Sequence, residues 1–163
     1  MMAAGLPLIV LIVLIAVPMA AAQVDTATLN ATVGSVARLT LSATSISFAD
    51  ADPDSVPDIP ATPPAITITA KARATAGSQV TLTAVASDDL RSGLDTIPAS
   101  QVTWTASGAG FVGGTLSRAA PRTVAAWSGS GVHTGAQSYS FRNLWTYPAG
   151  TYTVAVLYTL SAP

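Results

Sequence analysis

The residues best suited to chemistry are three aspartates at alternate positions, Asp50, Asp52 and Asp54. Oxygen-rich loops with carboxylates at this spacing bind calcium. This stretch departs from the calcium pattern because no glycine follows at the sixth position and the chain has no glutamate to act as a bidentate ligand. The sequence therefore favours a solvated turn, with a calcium loop as the alternative. No other cofactor is predicted.

Nucleophilic catalysis would have to involve His133, the single histidine. It lies between glycines in the stretch 131–135, which is typical of a flexible turn. A Ser-His-Asp triad needs a serine fixed beside the imidazole, and the chain lacks the Gly-x-Ser-x-Gly turn that would hold one. The absence of cysteine also excludes thiol catalysis and cysteine-based zinc sites. We therefore expect a solvated histidine and a protein that is not an enzyme.

Three aromatic residues near predicted turns are the candidates for a ligand or interface surface: Trp127, Trp145 and Tyr147. Large aromatic side chains that remain exposed form flat platforms for glycans and for protein partners. The same residue types are equally suited to a hydrophobic core, and Trp127 is also a core candidate. Whether Trp145 and Tyr147 lie on the surface or in the core therefore decides between binding and packing.

These side chains must be positioned by β-strands, and the clearest strand pattern covers 150–163. Apolar side chains alternate there with mostly threonine, which is typical of a half-buried strand. The inward positions are Tyr152, Val154, Val156, Tyr158 and Leu160. Leu157 lies on the threonine side, which indicates a strand away from the sheet edge.

The same period of two recurs along the chain and predicts an all-β fold. Glycine-containing residues 76–78 separate two such runs and predict a β-hairpin. The stretch 49–64 holds five prolines and is predicted to be a surface loop or an edge crossing. Seven to nine short strands without a helical pattern favour an antiparallel, immunoglobulin-like β-sandwich. The best further runs are 65–74, 79–86, 101–106, 122–127 and 136–142.

The first 22 residues predict export. An apolar run over 6–17 ends at Pro18, and the small residues Ala20 to Ala22 form a cleavage site before Gln23. We therefore expect a signal peptide at 1–22 and a single domain at 23–163, secreted to the extracellular space or cell surface, with the periplasm as the alternative. The mature form is not expected to span a membrane. A net charge of −1 leaves no basic surface for nucleic acid.

Two short motifs carry a family resemblance, Trp104-Thr105-Ala106 and Tyr158-Thr159-Leu160. The second half of the chain resembles the WxL-type domains of bacterial surface proteins, which have a Trp-x-Leu motif in mid-domain and another near the C-terminus. Here Ala106 stands in place of the first leucine and Tyr158 in place of the second tryptophan. The resemblance implies an extracellular surface protein bound non-covalently to the cell wall.

Together these patterns predict a secreted bacterial cell-surface module with a structural or adhesive, non-catalytic role. An exposed sheet edge is a template for a neighbour's strand, so the module is expected to be a subunit of an extracellular assembly. The extended segment 27–33 is the candidate for pairing with a like subunit. The alternative is a WxL-like module that binds peptidoglycan or another cell-wall or extracellular glycan.

Overall fold

The structure is a computed structural model that describes residues 27–163. The predicted signal peptide at 1–22 lies outside the described residues. The chain divides into two units, Met1–Thr32 and Val33–Pro163. Residues 27–32, the described part of the first unit, are exposed and contain no regular secondary structure. All of the strands described below belong to the second unit.

Short strands dominate the second unit, and four of them have only two or three residues. One turn of 3-10 helix, at Ala99–Gln101, precedes β8. The strands are β1 (Val36–Leu41), β2 (Ser47–Phe48), β3 (Asp58–Thr62), β4 (Ile66–Arg73), β5 (Gln79–Ala86), β6 (Leu90–Ser92), β7 (Asp95–Ile97), β8 (Val102–Ser107), β9 (Gly114–Thr115), β10 (Arg122–Ser128), β11 (Gly131–Arg142) and β12 (Val156–Ser161).

The first sheet is built around β11, the longest strand. Its 131–137 half pairs with β4, and its 140–142 end pairs with β3, so β4 and β3 follow each other along one side of β11. Strand β8 pairs with the other side. Strands β1, β2 and β9 then extend the sheet by pairing with β4, β3 and β8. Every pairing is antiparallel.

The second sheet has three antiparallel strands in the order β10-β5-β12, and β6 and β7 form a separate two-stranded ribbon. Strands β4 and β5 therefore lie in different sheets, and the predicted hairpin at 76–78 is wrong. The alternation of apolar side chains was correct for both strands, as β4 and β5 each bury every second residue. Alternation specifies which face is buried, but it does not specify the neighbouring strand.

The two sheets contribute to one hydrophobic core. Ile68 of β4 and Trp104 of β8 belong to the same buried cluster as Leu82 of β5 and Val124 of β10. The prediction of an all-β, antiparallel fold is confirmed, and the arrangement is consistent with a β-sandwich. No helix within residues 27–163 has the length and apolar character needed to cross a membrane.

Two local predictions are wrong and a third is right only in part. The proline-rich stretch is a loop as far as Pro57 but then contains β3, in which Ile59 and Ala61 are buried. Pro60 is tolerated there because β2 pairs only with the next two residues, so at Pro60 the strand has a neighbour on one side alone. His133 lies within β11 rather than in a turn. Strand β12 lies at a sheet edge, where Leu157 is 63% exposed.

Candidate binding cleft

A cleft of about 1140 Å³ opens beside β12. We call it the lateral cleft. One wall comes from the first sheet and includes Phe48 of β2 and Phe141 of β11, and the other includes Val154 and Val156 at the start of β12. Its floor consists of core side chains, each at most 6% exposed. These floor residues are Leu90, Ile97, Val102, Leu116 and Tyr139.

The walls of the lateral cleft are apolar and incompletely covered. Fourteen apolar side chains of the described chain are partly buried against the core, and seven of them line this cleft. Phe141 packs between Phe48 and Tyr147, with ring centroids 5.6 and 5.8 Å apart. Pockets of this kind, concave and mostly apolar with a few polar groups, are the usual sites of ligand binding. The seven are Ile46, Phe48, Phe141, Tyr147, Tyr152, Val154 and Val156.

The stretch 50–54, for which a calcium loop was the alternative to a solvated turn, borders the lateral cleft, and two of its three carboxylates have other partners. Asp52 Oδ1 accepts the backbone N–H of Asp54 at 2.8 Å, which closes a tight turn. Asp54 Oδ1 accepts the indole N–H of Trp145 at 3.1 Å. Across residues 27–163, no three His, Cys, Asp or Glu side chains are grouped closely enough to hold a metal ion. Asp52 and Asp54 thus organise a turn in this structure.

Asn143, which the sequence did not single out, fixes this turn to the end of β11. Its side-chain amide donates to the backbone carbonyls of Ala51 and Val56 at 2.9 and 3.3 Å. Its own backbone N–H donates to the carbonyl of Pro57 at 2.8 Å. The sequence offers no signal for this role beyond an asparagine that follows a strand.

Two of the three candidate aromatic residues meet at the lateral cleft. Trp145 is 69% exposed and Tyr147 is half-buried beside it in the lining. Trp127 lies elsewhere, on β10, where its ring stacks on His133 of β11 with centroids 4.3 Å apart. The indole N–H of Trp127 is buried and has no hydrogen-bond partner in the described chain. Trp127 is therefore not part of the cleft.

A buried polar network lies beneath the floor of the lateral cleft. Gln137 has no exposed surface, and its Oε1 accepts the hydroxyls of Tyr139 and Tyr158 at 3.1 and 2.7 Å. The two hydroxyls also contact each other. Burial raises the pKa of both tyrosines, so both remain protonated and able to donate. The network links β11 of the first sheet to β12 of the second.

Trp104 and Tyr158, the aromatic residues of the two motifs that resemble Trp-x-Leu, contribute to the interior of the protein. Trp104 is 3% exposed and donates its indole N–H to the carbonyl of Val112 at 3.0 Å. Its ring packs on Tyr139 with centroids 6.1 Å apart, and Tyr139 in turn contacts the hydroxyl of Tyr158. Trp104 and Tyr158 are thus connected through the core rather than displayed together on the surface.

The loop between β5 and β6 contains two further aspartates, Asp88 and Asp89, and both form ion pairs. Arg91 Nε lies 2.6 Å from Asp88 Oδ2, and its guanidinium lowers the pKa of that carboxyl. Arg118 Nε lies 3.0 Å from Asp89 Oδ2, while Asp89 Oδ1 accepts the backbone N–H of Ala99 at 2.9 Å. These paired charges organise the loop and leave the lateral cleft as the main candidate site.

The sequence matches no known protein family, and no curated protein is significantly similar to it.

Proposed function

We propose that this protein is a secreted bacterial cell-surface module, non-catalytic, that serves as a structural or adhesive subunit of an extracellular assembly. The observation that carries the proposal is the combination of a sheet edge with the lateral cleft. Within residues 27–163, β12 pairs only with β5, so its other side has no hydrogen-bonded partner, although part of β1 lies close to the strand. The apolar lateral cleft reaches the start of that strand, where Val156 belongs to its lining.

An edge strand next to an apolar cleft is suited to binding an extended segment of another chain. The backbone of the edge supplies hydrogen bonds to the added strand, and the cleft selects its alternate side chains. Soluble proteins usually protect such edges with lysine, proline or a covering loop. Strand β12 has none of these within Val156–Ser161, where the outward side chains are leucine, threonine and serine.

The proposal includes the finer features expected from the sequence. Residues 1–22 act as a signal peptide, and residues 23–163 form one immunoglobulin-like domain at the cell surface. The weak likeness to WxL-type domains supports a surface location, but it does not support wall binding through its motifs. Trp104 is buried, and Tyr158 directs its hydroxyl to Gln137.

Light scattering after size-exclusion chromatography tests the proposal on the chain that begins at Gln23. We expect oligomers whose mass rises with protein concentration, and we expect Leu157→Lys with Thr159→Lys on β12 to lower that mass. The matched control is Thr103→Lys with Thr105→Lys, which adds the same two charges on the exposed face of β8, a strand that pairs with β11 on one side and with β9 on the other. A strict monomer at every concentration, with no effect of either change, would refute assembly.

Glycan binding is the second candidate, because the exposed Trp145 ring is held in place by Asp54 and lies beside Tyr147 at the cleft mouth. Retention on purified cell walls should then be lost with Trp145→Ala and kept with Leu94→Ala, which removes a fully exposed apolar side chain outside the cleft. Equal retention of both variants, or of neither, removes this candidate.

A further inference from the structure

We infer that the lateral cleft receives residues 27–33 of a second copy, which add to the edge of β12 as a strand. This inference rests on the proposed function and narrows it to one donor segment and one acceptor site. It requires a donor with a strand pattern but no sheet, an acceptor edge with free backbone groups, and a reason for the donor to come from another chain.

The donor segment has a complete strand pattern. Ala27, Leu29, Ala31 and Val33 alternate with Thr28, Asn30 and Thr32. Such alternation is typical of a strand with one buried face, yet residues 27–35 contain no strand or turn in the structure. Leu29 is 97% exposed and Val33 is 68% exposed. These apolar side chains are therefore available to a partner.

The acceptor edge has backbone groups that point away from β5. The N–H of Ser87 donates to the carbonyl of Ala155 at 2.9 Å, so this opposed pair is a hydrogen-bonded one. Hydrogen-bonded and non-hydrogen-bonded positions alternate in an antiparallel ladder. Val156, Tyr158 and Leu160 therefore direct their N–H and C=O groups outward, while their side chains face the core.

The dimensions of donor and acceptor match. Seven residues extend to about 23 Å and the six residues of β12 to about 20 Å. At the level of Phe141 the first sheet is three strands across, β3-β11-β8, because β2 pairs with β3 only at Ala61 and Thr62. The second sheet is also three strands wide. A fourth strand beside β12 would cover the exposed parts of Phe48 and Phe141.

The backbone at Gly34 favours a second copy over the same chain. Residues 27–33 could turn back along β1 through a two-residue hairpin at Gly34-Ser35. The hairpin turns of this length need a positive φ at the first central residue. Gly34 is not among the glycines with positive φ, and nothing lies within 4 Å of the point that a Cβ would occupy there, so the chain is not held in such a turn.

Disulfide trapping tests the contact directly, because the chain has no cysteine of its own. Copies carrying Leu29→Cys are mixed with copies carrying Val154→Cys under oxidised glutathione, and the linked peptides are identified by mass spectrometry. We expect a disulfide between positions 29 and 154 of different chains. The matched control uses Leu157→Cys in place of Val154→Cys. Leu157 lies on the opposite face of the same chain segment, so the yield of the disulfide with position 29 should fall about tenfold or more.

A second measurement gives the strength of the donor contact. Leu29→Asp removes the largest apolar side chain of the donor, and we expect self-association to weaken by about tenfold to a hundredfold. Thr28→Asp adds the same charge on the other face of the segment and should have a smaller effect. Because positions 28 and 29 precede the unit Val33–Pro163, neither change should alter the thermal midpoint of the dilute monomer.

The outcomes separate this inference from the proposed function. Oligomers that form without the 29–154 disulfide and ignore Leu29→Asp would leave the assembly proposal standing and overturn the donor segment. A disulfide that closes within one chain, in a monomer carrying both Leu29→Cys and Val154→Cys, would overturn the second copy as the donor. A protein that stays monomeric and forms neither disulfide would overturn both proposals.

Discussion

Replacing Tyr139 and Tyr158 together by phenylalanine should destabilise the protein by more than the sum of the two single changes. Both hydroxyls donate to Gln137 Oε1, and Gln137 has no exposed surface. Its Nε2 has no hydrogen-bond partner in the described chain. Either tyrosine alone keeps the amide oxygen satisfied, whereas the double variant leaves the whole amide buried without a partner.

The expected magnitudes follow from this geometry. Each single change, Tyr139→Phe or Tyr158→Phe, removes one hydrogen bond and should lower the free energy of unfolding by about 1 kcal/mol. The double change adds the cost of an unsatisfied buried carbonyl, about 1–3 kcal/mol, for a total loss of about 3–5 kcal/mol. For a domain of this size, 1 kcal/mol corresponds to roughly 4 °C in Tm.

Urea unfolding followed by circular dichroism provides the four free energies of the cycle. Adding Gln137→Leu to the double variant removes the unsatisfied amide, and we expect it to recover about 1–3 kcal/mol, because replacing all the polar partners by apolar groups is nearly neutral. Strictly additive losses, or no recovery from Gln137→Leu, would show that water satisfies the amide and that the network is not sealed in the core.

Two further predictions concern the same core. Because burial raises the pKa of Tyr139 and Tyr158 above the value near 10 of the unfolded chain, the unfolded state loses protons first, and stability should fall as the pH rises above about 10. Urea midpoints from pH 8 to 11 should show this fall, which the double phenylalanine variant should largely lose; equal slopes would contradict it. Gly135→Ala should lower the free energy of unfolding by about 1–3 kcal/mol or more, since a Cβ there would lie 2.5 Å from the Phe111 ring and 2.6 Å from the Ser107 carbonyl. Gly34→Ala, with nothing within 4 Å, should change it by less than about 0.5 kcal/mol, and similar losses for both variants would refute the steric explanation.

The division of each strand into two faces could be predicted from the sequence. Along 151–161, every predicted inward side chain is partly buried and every other residue is exposed. The period of two that specifies this division depends only on the pleat of the strand. The period is the same for an edge strand and an interior one, so Leu157 does not distinguish the two positions. For the same reason, alternation in β4 and β5 does not show whether the two strands pair with each other.

The candidate site was predictable only in part. The position of aromatic residues near turns indicates Trp145 and Tyr147, and the structure places both in the lining of the lateral cleft. Phe48 and Asn143 were missed because their roles depend on which strands lie opposite one another. That information is tertiary: β2 reaches the cleft only through its pairing with β3, and Asn143 reaches the aspartate turn only because β11 ends beside it.

The donor segment 27–33 and the C-terminal strand have the same alternation of apolar and polar side chains, but they differ in strand pairing. Residues 156–160 have a sheet on one side and an unpaired edge on the other, while residues 27–33 have no strand pairing at all. An isolated strand with an apolar face gains little stability in water, since its backbone hydrogen bonds and its apolar side chains both need a neighbour. The edge of β12 has outward N–H and C=O groups near an apolar cleft, and it lacks a neighbouring strand that would pair with these groups and fill the cleft. A contact between the two in different copies would satisfy both requirements, because the backbone groups and the apolar side chains that each segment leaves uncovered are the ones that the other needs.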